Sequence, residues 1–426
     1  MASGDVLVVG GGGAREHAFV WKLKKSPFVG SIYVAPGNAG TACIANNISI
    51  DITDINTLFH FAREKDIDLT VVGPELPLKL GIVDLFQQNG LCIFGPTAFA
   101  SKIETSKTFA KNLMVEYGIP TAPFRLFSSY QEAYAYIHER DYPLVVKPDD
   151  LTGGKGVEVC KEIIQAEIAL KKIMLDRVYG DAGNIVIIED CLQGREVSIH
   201  TLCSKNTRHT LIPIQDNKTL GDGDTGPNTG GMGSYAPVDM FRDNDLFHVE
   251  QIIIDPILTA LRQRGTPFTG CLYTGLMVTA NGPKVLEFNA RFGDPETQPL
   301  MTLLANDLFL ILKSYACGEQ EIQPIFTNNQ HAVCVNLCSE KYPSSEHKSV
   351  PIYGIKQAHD LSDKITIFHG ATKLIDGKLY TNGGRILSVT AVGDSLEKAA
   401  SLAYRVCGDK YIHFEGMQYR MDIAKV

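Results

Sequence analysis

The sequence has no apolar run of about 18 residues, so no membrane-spanning helix is expected. It also lacks a positive balance: 40 Lys and Arg stand against 48 Asp and Glu, a formal net charge of −8. That excludes a chain-wide nucleic-acid footprint or a polybasic membrane surface, but leaves room for a small positive pocket. The start, Met1-Ala2-Ser3-Gly4-Asp5, has no basic segment ahead of a long apolar stretch. It reads as the lead-in to a strand and not as a signal peptide, and a cytoplasmic location is the expectation. The 10 Cys follow no repeated spacing. Cys334 and Cys338 share a strand-like run, but no second pair stands at zinc spacing. Free thiols in a reducing compartment are expected. There is no internal repeat and no low-complexity tract.

What is present is an ordinary globular composition, 44% hydrophobic and 21% charged over 426 residues, enough for two to four domains. Val6–Val9, Ile32–Val34, Leu69–Val72 and Leu91–Phe94 read as buried strands. They alternate with helical stretches at Ala14–Lys25, Ile55–Lys65 and Gly81–Asn89. Buried strands between helices indicate a doubly wound parallel sheet over roughly the first 100 residues. A helix is predicted over Glu104–Tyr117, stopped by Gly118. Short strands and glycine-rich loops follow to about residue 325, then a mixed α/β unit. In that last unit Asp376-Gly377 marks a hairpin and Leu396–Val406 a helix. The stretch Gly221–Gly233 is too long for an ordinary turn, which points to function.

Four constellations carry chemistry. Gly10–Gly13, between a strand and a helix, can point backbone N–H groups at an anion. The dinucleotide pattern fails there, because Arg15 stands where a third glycine belongs and no acid ends the second strand. Lys147, then Gly153-Gly154-Lys155-Gly156, form a strand–loop–strand unit able to approach phosphate oxygens. It is no Walker A loop, because Asp149 and Gly156 stand where Gly and Ser/Thr belong. Val186–Leu192 is a strand leaving into a linker that can meet a base edge, with Glu196 placed for ribose hydroxyls. Finally, period-two alternation puts Glu287, Asn289 and Arg291 on one face of a strand, with Leu286, Phe288 and Phe292 on the other. A carboxylate and an amide two residues apart suit a hard cation that keeps its waters and bridges phosphates. The arginine suits a transferring phosphoryl group.

Together with Arg15-Glu16-His17-Ala18, Ala35–Gly40, Val72–Glu75, Ser106-Lys107, Phe109-Ala110-Lys111, Gly226–Gly233, Leu286–Glu296 and Gly383-Gly384-Arg385, these segments resemble the phosphoribosylamine–glycine ligase family of the ATP-grasp superfamily. The resemblance covers nearly the whole chain. It implies an α/β and α+β multidomain fold: an N-terminal α/β domain over 1–103, an ATP-grasp domain over 104–326 with a mobile lid at about 121–190, and a C-terminal mixed α/β domain over 327–426. It implies ATP-dependent joining of glycine to 5-phosphoribosylamine through a glycyl phosphate, in purine synthesis. Lys107, Lys147, Gly154, Lys155 and Gly156 would meet the ATP phosphates. Glu189, Asp190, Cys191 and Leu192 would meet adenine and Glu196 the ribose, with Pro213 and Asn228 also touching nucleotide. Glu287 and Asn289 would bind Mg²⁺ or Mn²⁺. Arg291, Lys147 and Asp294 would serve the chemistry. Gly13, Arg15, Asp216, Gly384 and Arg385 would meet the substrates, with glycine near Asp216 and Asp294. Neither nucleic acid nor membrane is an expected partner. Because relatives are fused to other purine enzymes, the chain can be one part of a longer protein. It departs from the family at Ala14, at Pro148 and Asp150 (the family has Lys-Ala-Asp-Gly where this chain has Lys147-Pro148-Asp149-Asp150), at Arg195 and at Asn217; none of these removes a magnesium or lysine position. Another ATP-grasp ligase and a non-enzymatic nucleotide-binding module are the competing readings.

Overall fold

Val6 to Val9 have no exposed surface, as a strand covered on both faces requires. In the computed structural model, which describes residues 3–151, 156–205, 207–239, 241, 243–318 and 324–425, this strand (Gly4–Gly10) is the middle of a five-stranded parallel sheet. The order is Asn46–Asn47, Val29–Pro36, Gly4–Gly10, Leu69–Val72, Ile93–Phe94. The chain leaves the central strand to one side and returns to the other. That reversal opens a crevice at the carboxyl ends of the strands, where Gly10–Gly13, Pro36 and Pro74-Glu75 lie.

The predicted Glu104–Tyr117 helix is two helices, Lys102–Thr105 and Lys107–Glu116. Ser106 breaks them. It takes an extended conformation and its hydroxyl accepts from Phe109 N, so it caps the second helix. A short helix at Glu75–Lys79 was not expected. The next helix spans Ile82–Gln88, because Gly81, at φ +87°, serves as its cap and stays outside it.

The middle of the chain builds two antiparallel sheets. One runs in the order Arg208–Thr210, Arg195–Cys203, Gly270–Thr279, Gly282–Asn289. The other, Phe124–Phe127, Val186–Asp190, Leu144–Pro148, Glu158–Cys160, closes over a small core of its own. Gly221–Gly233 is no open loop. Its first half belongs to a hairpin of Thr219–Gly221 with Thr225–Asn228, turned by Gly223 and Asp224 at positive φ.

A third antiparallel sheet has the order Gln215–Asp216, Gly233–Ala236, His331–Cys338, Arg385–Gly393, Ile365–His369. Its first two strands come from the middle of the chain. This continuity brings Asp216 beside the C-terminal residues. The hairpin at Asp376-Gly377 and the helix Leu396–Arg405, capped by Ser395, are as predicted. His17 ties the ends of the chain together: its Nδ1 accepts from His369 N at 2.8 Å, and Asn38 Nδ2 donates to His369 O at 2.7 Å.

Candidate active site

All four of these sheets contribute to one cavity of about 670 Å³. Its walls include the glycine turn, the Lys107–Glu116 helix, the Leu144–Pro148 and Val186–Asp190 strands, and the end of Gly282–Asn289.

The predicted alternation at Leu286 fails. Register slips between Gly275 and Leu276, which pair with Glu287 and Val285 and leave Leu286 as an extra residue. Val285 and Phe288, three apart, are the core residues at 0% and 2% exposure, while the half-buried Leu286 and Glu287, one after the other, both line the cavity, which Phe288 also reaches. The strand ends at Asn289, so Arg291 is on the turn beyond it. There Arg291 is fixed by Glu104 (Nη2–Oε1, 3.0 Å), by Glu75 (Nε–Oε2, 3.4 Å) and by its own donation to Phe292 O at 3.2 Å.

One half of the cavity is cationic. Glu189 is gripped by two lysines: Lys111 reaches Oε2 at 2.6 Å, and Lys147 pairs with Oε1. Lys111 also donates to Thr121 Oγ1 at 2.7 Å. Lys107 Nζ donates to the carbonyl of Asp150 at 2.7 Å. Asp149 accepts from Thr108 N at 3.1 Å and so sits at a helix N-terminus, where a negative charge is favoured. Lys218 bridges Glu196 (3.3 Å) and Glu287 (3.5 Å). Burial opposes the ionisation of Glu287, but Lys218, Lys147, Lys107 and Arg291 outweigh it and hold its carboxyl down at about 2. Glu287 is therefore a permanent carboxylate, next to the Asn289 amide. Glu104, deeper in, goes the other way: burial, opposed by Arg291 and assisted by Glu75 and Glu287, raises it to about 7.

The other half is tightly packed and mixed in charge. A Cβ on Gly13 would stand 2.3 Å from Asp294 Oδ2. Asp294 accepts from Gln298 Nε2 at 2.8 Å and pairs with Arg385 at 3.3 Å. Burial opposes its ionisation, but Arg385 and Arg15 keep it below the ordinary carboxylate range. Arg385 also donates to the carbonyls of Gly230 and Asp294. Arg15 holds Glu16 at 2.7 Å and donates to Phe292 O at 3.0 Å. Burial and the neighbouring Glu296 raise Asp216 well above its usual value, against Lys218, and its Oδ1 has no hydrogen-bond partner.

Gly13, Arg15, Lys107, Lys147, Glu189–Leu192, Glu196, Asp216, Asn228, Glu287, Asn289, Arg291, Asp294 and Arg385 all line this cavity. Gly156, Pro213 and Gly384 are not among its walls. Gly384 packs against Tyr342 and gives its carbonyl to Ser339 N. Gly154 and Lys155 lie outside the described residues. Sequence reasoning missed Lys111, Lys218, Glu75, Glu104 and Glu296 as wall residues. Phe109-Ala110-Lys111 was visible as a motif, but a lysine inside a helix carries no local sign that it faces inward.

Three family models cover the chain: "Phosphoribosylglycinamide synthetase, N domain" at 4–104, "ATP-grasp (A) domain" of the same synthetase at 105–297, and its "C domain" at 332–426. The phosphoribosylamine–glycine ligase of Caldanaerobacter subterraneus subsp. tengcongensis is 44% identical over 419 residues, 98% of this chain and 99% of that protein. The human trifunctional purine biosynthetic protein adenosine-3 is 43% identical over 98% of this chain, which spans 41% of that protein. The crystal structure of phosphoribosylamine–glycine ligase from Thermotoga maritima superposes with a TM-score of 0.84 at 30% identity, covering 99% of this chain and 100% of that one. The biotin carboxylase domain of Hydrogenobacter thermophilus 2-oxoglutarate carboxylase shares the fold, with a TM-score of 0.74 at 14% identity over 98% of this chain and 92% of that one. From the glycine turn to the C-terminal sheet, this chain belongs to the phosphoribosylamine–glycine ligase family.

Proposed function

We propose that this chain joins glycine to 5-phosphoribosylamine, with ATP converted to ADP and phosphate, through a glycyl phosphate. The observation that carries the reading is the division of one cavity into a lysine-rich half around Glu287 and a half around Asp294 where carboxylates pair with Arg15 and Arg385. The first suits a nucleotide with its phosphates, the second the amino groups and the phosphate of two small substrates. The three matched segments are proposed as three domains, close to 1–103, 104–326 and 327–426, with 121–190 as a lid.

Glu287 and Asn289 fit a divalent cation. Both offer hard oxygen donors, and Glu287 stays ionised. Among the described residues no group of three or more His, Cys, Asp or Glu stands close enough to hold a metal by itself. That suits Mg²⁺ or Mn²⁺, which complete their shells with phosphate oxygens and water. Bound there, the ion would neutralise charge on the phosphates.

The chain's own residues do the rest. Glu189 to Leu192 line the adenine end and Glu196 faces the ribose. Lys107 and Lys147 neutralise the phosphates. Lys147 can swing from Glu189 without stranding that carboxylate, because Lys111 stays on its other oxygen. Arg291 is aimed by Glu75 and Glu104 at the phosphoryl group passing to the glycine carboxylate. That transfer replaces hydroxide with phosphate as the leaving group. Asp216 and Asp294 face the glycine ammonium, and Arg15 and Arg385 the phosphoribosyl group. Protection of the acyl phosphate from water falls to the segment around Gly153–Gly156.

The test is ADP release from the purified chain with Mg·ATP. Release that needs both glycine and freshly made phosphoribosylamine supports the reading. Release with bicarbonate or formate in place of glycine would support another ATP-grasp ligase, and none with any acceptor a binding module.

A further inference from the structure

Far from the cavity, two cysteines meet. Cys92 precedes the edge strand Ile93–Phe94 of the N-terminal sheet, and Cys317 ends the helix Leu308–Cys317. They are 225 residues apart in sequence, yet their sulfurs are 2.9 Å apart. Their neighbours cross the same interface. Lys313 pairs with Asp68 at 3.2 Å, and the ring of Phe309 fills the space beside Gly4. Cys317 is exposed and Cys92 partly so, and neither lines the cavity. The described residues offer no third Cys, His, Asp or Glu that would make the pair a metal site.

We propose that Cys92 and Cys317 form a modification site, a dithiol that closes to a disulfide on meeting a hydroperoxide or a small-molecule disulfide. A disulfide bond is about 2.05 Å long, so closure needs a movement of less than about 1 Å. The thiolate of exposed Cys317 attacks a peroxide oxygen, forming a sulfenic acid and releasing hydroxide. Cys92 then attacks that sulfur, forming the S–S bond and displacing the second hydroxide, while its proton passes to solvent. The two thiols lose two electrons and the peroxide becomes two waters. With a small disulfide as reactant, the leaving groups are its two thiols. The order of events follows from exposure, and also from the Cys92 thiol being pushed up by its hydrogen bond to Cys317 and by burial, with Lys313 opposing and Asp68 assisting. The bond would staple the N-terminal sheet to a helix lying between the segments matched by the ATP-grasp and C-terminal models. It would close a loop of more than half the chain, and such long closures constrain the unfolded state most.

The full chain would be treated with hydrogen peroxide, or with oxidised glutathione, then alkylated and mapped by mass spectrometry without reduction. The expected result is a cross-linked peptide pair containing Cys92 and Cys317. Two alkylatable thiols should be lost per chain and restored by dithiothreitol. The unfolding temperature should rise on oxidation, with kcat unchanged, and the rise should vanish in C92S and in C317S. A stable glutathione adduct or sulfenic acid on Cys317 with Cys92 still alkylatable would overturn the proposal. So would oxidation of buried cysteines ahead of this pair. Both readings come from the wild-type chain, so misfolding of a variant would not blur them.

Discussion

Gly13 and Asp294 touch so closely that any side chain on the glycine would enter the carboxylate: a Cβ there would stand 2.3 Å from Oδ2. The glycine turn is thus built around a residue 281 positions away. Gly13→Ala is expected to push Asp294 off Arg385 and Gln298 while leaving the nucleotide end untouched. A displacement of about 1 Å can cost about 100-fold. Steady-state kinetics should show kcat/KM for glycine and phosphoribosylamine falling by that order, with KM for ATP nearly constant. An equal loss for all three substrates would argue against a division of the cavity.

Glu287→Ala removes the proposed metal carboxylate and leaves Lys218, Lys147 and Lys107 without their shared counter-charge. Turnover should fall by about 100-fold or more, the scale of losing one preorganised electrostatic contact. Binding of Mn²⁺ in the presence of nucleotide, followed by electron paramagnetic resonance, should weaken. Circular dichroism should stay unchanged. Normal metal binding in this variant would remove Glu287 from the site.

Lys111→Met leaves Glu189, which is 4% exposed, with Lys147 as its remaining lysine partner among the described residues. Breaking a buried charge pair costs about 3–5 kcal/mol. Chemical denaturation should show a loss of that order. KM for ATP should rise as well, because Lys147 can no longer leave Glu189 for a phosphate. A stable variant with ordinary ATP affinity would contradict the shared grip.

Glu104 gives a pH test with a definite sign. Burial, opposed by Arg291, raises its carboxyl from 4.5 to about 7 in the folded chain. Between those values the folded state holds a proton that the unfolded state has lost. Stability contributed by Glu104 is therefore full below about 4.5 and falls as pH rises toward 7. The loss amounts to about 3 kcal/mol. Glu104→Gln should flatten that decline between pH 5 and pH 8, measured as the urea midpoint. An unchanged slope would mean that Glu104 is already ionised in the folded chain.

Sequence pattern shows some of this architecture plainly and hides the rest for physical reasons. The parallel sheet was visible because strands buried on both faces are nearly all apolar, as at Val6–Val9 and, but for Thr70, at Leu69–Val72. Glu287 and Asn289 were visible because their spacing survives the strand geometry. The face of Leu286 was not, because a bulge adds a residue without changing composition, and nothing local marks it. Ser106 offered a capping side chain, but no Gly or Pro announced the break there. Lys111, Lys218, Glu75 and Glu104 owe their places to partners far along the chain. A charged residue on a helix reads as solvated until its partner is known. Gly384 matched a motif, and a side chain there would press on Tyr342, a neighbour the motif did not announce.

The central claim is that the glycine carboxylate is activated by phosphorylation before the amine attacks. Turnover with glycine carrying ¹⁸O in both carboxylate oxygens, in unlabelled water, tests it directly. Mass spectrometry of the released phosphate should find one ¹⁸O per molecule, transferred from glycine, with the other ¹⁸O kept in the amide product. Phosphate released without ¹⁸O would contradict a glycyl phosphate.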